Sequence, residues 1–178
     1  MNRIILKPIF ILGDLFPQIF IWWNRGFWRT RIKMLEQRDK NAREFLYIVC
    51  NSYMRKFGFF IGYTTSLRSE PILPHGFNGI YISGGASVGR GCIIFPNVII
   101  GSNTLPDSKG QGAPQIGDNC YIGAGATIIG KVTIGNNCRI GANTTVSQDV
   151  PDNCVVISQE PRILQKSDLD NTWTPFTY

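Results

Sequence analysis

One histidine, five cysteines and twelve carboxylates are the residues of this 178-residue chain best suited to chemistry. The histidine is His75, in the stretch ILPHGFNGIYIS. An imidazole titrates near neutrality, so it can take the proton of a hydroxyl as that hydroxyl attacks a carbonyl. Taken alone, a single histidine is more often a surface or hydrogen-bonded core residue than a catalyst. A catalytic imidazole also needs an acceptor to orient it, and Glu70 in RSEPILPH is the nearest carboxylate. A solvated loop glutamate is an equally good account of Glu70. The cysteines form no CxxC pair, and Cys120 and Cys138 stand eighteen residues apart. A disulfide or metal site is one reading of them; simple packing is the other, and it suffices. Zinc chemistry of the three-histidine kind is excluded, because the chain has one histidine.

The elements that position these groups follow from a period of six. Anchors recur at Ile82, Val88, Ile94 and Ile100, then at Ile116, Ile122, Ile128, Ile134, Ile140 and Val146. Neither a helix nor a plain strand has that period; a short strand, a corner and another short strand do. A second, smaller inward residue follows each anchor but Ile100 by four: Ala86, Cys92, Val98, Cys120, Ala126, Val132, Cys138, Thr144 and Val150. Three such sides close a triangular coil whose stacked strands pair in parallel around one core. Gly, Asn and Asp supply the corners. Sixteen residues separate Ile100 from Ile116, which is not a multiple of six, so residues 102–115 form an extruded loop. The expected organisation is a helical N-terminal segment at 1–58, an all-β solenoid at 59–157, and a C-terminal cap or tail at 158–178. In NAREFLYIVCNSYMRKFG, the residues Phe45, Ile48, Val49 and Tyr53 mark a helical face, and this segment should cover one end of the coil.

The composition is 43% hydrophobic, ample for a core, and the net charge is +6. That charge suits a membrane surface or a phosphorylated ligand; no aromatic-basic signature points to nucleic acid. Residues 4–23 are apolar, but Lys7, Pro8, Asp14 and Pro17 interrupt them, against a spanning helix. With Arg25, Arg29, Arg31 and Lys33 following, residues 4–33 read either as a packed helical lead-in or as a peripheral membrane contact. Five cysteines without a secretory leader lead to the expectation of a reducing, cytoplasmic setting.

The run IGDNCYIGAGATIIGKVTIGNNCRIGANTTV, with QDVPDN after it, resembles the hexapeptide-repeat acyltransferases, over roughly residues 59–166. Within them the chain is most similar to the serine acetyltransferase-like and surface-glycan O-acetyltransferase branch. The resemblance implies a left-handed parallel β-helix, a homotrimer with sites in clefts between neighbouring coils, and acetyl-CoA as co-substrate without a metal. It also assigns roles. LPHGFNGI resembles the segment in which a histidine acts as general base, which turns His75 from a structural residue into the catalytic candidate, with Glu70 a weaker match as its partner. GAGA (Gly123, Ala124, Gly125) and IGAN (Gly141, Ala142) match positions along which the pantetheine arm runs. EPRILQK resembles the segment that meets the nucleotide end, so Arg162 and Lys166 are phosphate candidates, with Lys131 and Lys109 behind them.

Two departures bear on the acceptor. Serine acetyltransferases carry a second histidine in the extruded loop, where GQGAPQIG places Ala113. Their larger helical domain is shortened here to about a third of the chain. Both lean towards a saccharide hydroxyl of a surface polysaccharide, with serine of cysteine biosynthesis as the alternative. A trimeric scaffold or glycan-binding protein without turnover is the non-enzymatic reading. A nucleotidyltransferase is not expected, because residues 1–58 are too few for its α/β domain.

Overall fold

The computed structural model describes residues 15–159. Three helices come first: α1 (Phe16–Trp23), α2 (Phe27–Glu36) and α3 (Lys40–Lys56). Pro17 opens α1, where its missing N–H matters least. Asp39 caps α3 by accepting the Ala42 N–H at 2.7 Å.

From Phe59 the chain winds as a three-sided tube of two- and three-residue strands. The first sheet stacks β1 (Phe60–Ile61), β3 (Tyr81–Ile82), β6 (Ile99–Gly101), β9 (Thr127–Ile129) and β12 (Thr145–Val146). The second stacks β2 (Ser66–Leu67), β4 (Ser87–Val88), β7 (Gln115–Ile116) and β10 (Thr133–Ile134). The third stacks β5 (Ile93–Ile94), β8 (Tyr121–Ile122), β11 (Arg139–Ile140) and β13 (Val155–Val156). Every pairing is parallel, and the register sets Ile82 on Ile100 on Ile128 on Val146 in one column. All ten anchors named from the sequence are buried, as are the small residues four positions later. A single apolar column therefore fills the tube.

The corners explain the glycines and asparagines. Asn97 and Asn143 adopt positive φ, as do Asn119, Asn137 and Asn153 on another edge. At Gly79 and Gly125 a Cβ would sit 2.0 and 2.2 Å from the carboxamide oxygens of Asn97 and Asn143 in the next coil. Asparagine and glycine thus alternate along this edge because one fills the space the other leaves.

The extruded loop leaves after Gly101 and the next strand begins at Gln115, one residue inside the expected span. Its base is pinned by an antiparallel bridge, Asn103 N–H to Gly112 O at 2.8 Å and Gly112 N–H to Asn103 O at 2.9 Å. A second irregularity was not expected. Val150 does not take the small slot; it bridges Ile134 and so stands in the anchor column of the second sheet, on a side two residues shorter than the rest. The Asp149 carboxylate, accepting the Thr133 N–H at 2.7 Å, supplies the missing link.

The helices pack on the first coil. Phe27 of α2 meets Phe59 and Phe77 at centroid distances of 5.2 and 5.3 Å. The buried Arg31 guanidinium donates to Gly62 O and Thr65 O. The face of α3 differs from expectation: Leu46, Val49, Cys50 and Met54 are buried, while Phe45 and Ile48 are exposed. Both stripes have helical spacing, and contact with the coil selects the first. The segment around NTWTPFTY, expected at the far end of the coil, lies outside the described residues.

Candidate active site

His75 sits in a short excursion between Ile72, which bridges Ile93 on the third sheet, and Ile80, which precedes β3. The excursion is held at its ends. The Gly76 N–H donates to Leu73 O at 3.1 Å, Ile80 N–H to Phe77 O at 2.9 Å, and Gly79 N–H to Gly58 O at 3.1 Å. The Phe77 ring lies in the aromatic cluster with Phe27, Trp28 and Phe59. Gly76 and Gly79 take φ of +73° and +66°, which bends the chain sharply enough to leave His75 exposed at the tip. The Asn78 side chain donates to His75 O at 3.0 Å and fixes the backbone there.

The imidazole faces an aromatic row. Its centroid is 5.8 Å from that of Phe95, Phe95 is 4.9 Å from Tyr121, and the Arg139 guanidinium lies 5.9 Å from the Tyr121 centroid. These side chains flank the anchors Ile94, Ile122 and Ile140 on the outer face of the third sheet. The sequence reading passed over them. The signal was present in IIFPN, CYIG and CRIG, where large residues occupy outward positions beside the anchors.

Glu70 is exposed in the turn after β2, and among the described residues no hydrogen bond or ion pair joins it to His75. The neighbouring ion pair is Arg68 Nη1 with Asp118 Oδ1 at 3.2 Å. The imidazole ring of this single chain has no described hydrogen-bond partner, so its orientation comes from the loop and from Phe95.

The pantetheine candidates share an edge with His75. Gly123, Ala124 and Gly125 form the corner from the third to the first sheet, and Gly141 with Ala142 forms the same corner one coil on. Gly125 N–H donates to Pro96 O at 2.9 Å and Asn143 N–H to Ala124 O at 2.8 Å. A Cβ on Gly123 would lie 2.7 Å from Ala142 N, so coil stacking already demands that glycine. What the edge offers a ligand is its backbone beside the small, exposed Ala124 and Ala142.

Lys131 lies elsewhere. It is exposed on the corner from the first to the second sheet, where its N–H donates to Gly110 O at 2.9 Å and supports the extruded loop. A cleft of about 410 Å³ opens there, lined by Asn103, Leu105, Ser108, Ile129 and Lys131. Lys109 belongs to the same loop. At its base the hydroxyls of Ser83 and Ser102 share a hydrogen bond. The candidates therefore fall on two edges of the tube, His75 with Gly123, Ala124, Gly125, Gly141 and Ala142 on one, Lys131 on another. Arg162 and Lys166 lie outside the described residues.

The cysteines form a column at the remaining edge. Cys92, Cys120 and Cys138 are buried and donate to Gly117, Gly135 and Pro151 carbonyls at 3.2, 3.1 and 3.0 Å, with Cys154 next in line. Pairing with the Cys92 sulfur, and then burial, push the Cys120 thiol well up.

Residues 113–148 match the family model of the bacterial transferase hexapeptide, six repeats. Those residues carry the hexapeptide repeat. The chain is 36% identical over 95 residues to a serine acetyltransferase of Synechococcus elongatus, across 53% of this chain and 38% of that protein. Among solved structures it resembles serine acetyltransferase isoform 3 of Entamoeba histolytica in complex with cysteine. That match has a TM-score of 0.64 and 28% identity, over 79% of this chain and 50% of that one. The Brucella abortus serine acetyltransferase in complex with coenzyme A matches with TM-score 0.62 and 26% identity, over 79% and 55% of the two chains. The chain thus spans 38 to 55% of these relatives' length. The tube is a left-handed parallel β-helix, the exception to right-handed parallel crossovers.

Proposed function

We propose that this protein is an acetyl-CoA-dependent O-acetyltransferase of the serine acetyltransferase type, with His75 as general base. The observation that carries the reading is the position of that imidazole. It is exposed on a pinned loop, on the same edge as the small-residue corners of the later coils. Serine acetyltransferase relatives in both comparisons support the reaction class.

The chemistry follows from the residue types. An acceptor hydroxyl gives its proton to the His75 imidazole as its oxygen attacks the thioester carbonyl of acetyl-CoA. The tetrahedral oxyanion forms where backbone N–H groups can face it. On collapse the carbon–sulfur bond breaks, and the imidazolium returns the proton to the departing thiolate. The product is an acetyl ester and free CoA. The homotrimer of this reading rests on the family resemblance; Lys131 and His75 lie on different edges of one tube, so a site that used both would draw them from two copies.

The acceptor in this reading is serine, as in the relatives. Ala113, with no imidazole in the extruded loop, favours a second reading in which a saccharide hydroxyl takes the acetyl group. One assay separates them: CoA release from acetyl-CoA, read with a thiol reagent, against serine and a panel of sugars. His75→Ala is expected to lower turnover by about a hundred- to ten-thousand-fold while CoA still binds. Unchanged turnover in that variant overturns the base assignment. CoA binding without turnover on any acceptor turns the reading to a scaffold.

A further inference from the structure

Among the described residues, nothing covers the outer face of α1. Leu15, Phe16, Ile19, Trp22 and Trp23 lie on one side of that short helix, and Ile19, Trp22 and Trp23 are 56, 78 and 79% exposed. The surface continues onto α3, where the Phe45 ring is 6.1 Å from Phe16 and Ile48 is 55% exposed one turn further on. Contiguous apolar surface of this kind, including two adjacent indoles, marks an interaction site.

The rim selects the partner. From Leu15 to Leu35 there is no Asp or Glu, while Arg25, Arg29 and Lys33 are exposed. The Lys33 ammonium, donating to Asn24 Oδ1 at 2.6 Å, is held at the end of α1. Beside Trp22 and Arg25 a cleft of about 520 Å³ opens against Tyr53 and Phe57. A second copy docked on this face would bring one cationic rim against another. An anionic bilayer surface meets both demands: indoles settle at the headgroup boundary, and cations meet lipid phosphates.

We propose that α1, with Phe45 and Ile48 of α3, lies in the headgroup region of an anionic phospholipid membrane, with Arg25, Arg29 and Lys33 on the lipid phosphates. The helix lies in the surface and does not cross; among the described residues no helix is long and apolar enough to span. This inference stands apart from the acyl-transfer reading.

The test is co-sedimentation of the full chain with phosphatidylcholine vesicles, with and without phosphatidylglycerol, at low and high salt. The protein is expected to sediment with the anionic vesicles at low salt and to be released by high salt. Arg25→Gln/Arg29→Gln should weaken that partition by roughly 30-fold, from the loss of two cations at the surface. Trp22→Ser/Trp23→Ser should weaken it independently of salt. As a check that does not depend on variants, brominated lipid should quench the tryptophan emission of the unaltered protein, and that quenching should fall in the double serine variant. Failure to sediment with anionic vesicles, equal binding to phosphatidylcholine alone, or sedimentation without quenching each overturns the proposal. So does a fall in molecular mass in the serine variant, which would make the face a contact between copies.

Discussion

At the scale of single residues, access rather than residue type decides what the thiols and the imidazole do. Cys50, Cys92, Cys120 and Cys138 are buried, and Cys154 is half-buried at the end of the column. Native protein treated with a disulfide reagent is therefore expected to label at Cys154 first, with all five thiols reacting only after unfolding; mass spectrometry of the modified peptides checks this. Burial pushes the Cys50 thiol up to about 11, against the smaller opposing pull of Arg31. A raised folded pKa means the native state holds that proton longer than the unfolded chain does. The stability it contributes is complete below the unfolded value near 9.0 and fades as pH rises towards about 11. Denaturant midpoints across that window should fall in the parent protein and fall less in Cys50→Ala. The inward residues were legible because each side of the coil admits one large and one small apolar side chain. The row of Phe95, Tyr121 and Arg139 was not, because outward positions answer to no period. His75 stands out in the sequence only through its flanks, since nothing about a lone histidine distinguishes a base from a surface residue.

At the scale of elements, the coil tolerates little change at its anchors and none at certain corners. Ile128 is fully buried between Ile100 and Val146 in the column of the first sheet. Ile128→Ala is expected to lower stability by about 2–5 kcal/mol. Gly125→Ala should also destabilise, for a different reason: φ there is +70° and the added Cβ meets the Asn143 carboxamide. The two defects separate by rescue, since Asn143→Gly removes the clash at residue 125 and does nothing for Ile128→Ala. Thermal melts of the single and paired variants read this out. The period of six showed the tube and the large loop because sixteen is not a multiple of six. It did not show the short side at Val146 to Val150, because a valine four residues after an anchor points inward on either path. The face of α3 was misread for a similar reason: two stripes with the same spacing compete, and only the coil beneath the helix chooses between them.

At the scale of the whole molecule, Arg31 ties the helical segment to the tube. Its guanidinium is buried beside Cys50 and satisfies two carbonyls of the first coil, Gly62 O at 3.2 Å and Thr65 O at 2.9 Å. Arg31→Ala leaves Thr65 O buried without its donor and Gly62 O with the Thr65 N–H alone, so it is expected to cost about 2 kcal/mol and to lower Tm by several degrees. Burial lowers the pKa of this arginine, but an arginine remains charged throughout the neutral range, so the deficit should not vary with pH there. The same docking sets the helices at the His75 end of the tube, since Phe77 of its loop packs on Phe27 and Trp28.

The pinch between Asn103 and Gly112 has a consequence for how such a chain can diversify. Because the two ends of that excursion are hydrogen-bonded to each other, its tip is a cassette. A longer or shorter tip can be grafted there while the winding above and below keeps its pitch, at a closure penalty that grows only slowly with length. New specificity can then arise at a place where the tube does not have to be rebuilt to receive it.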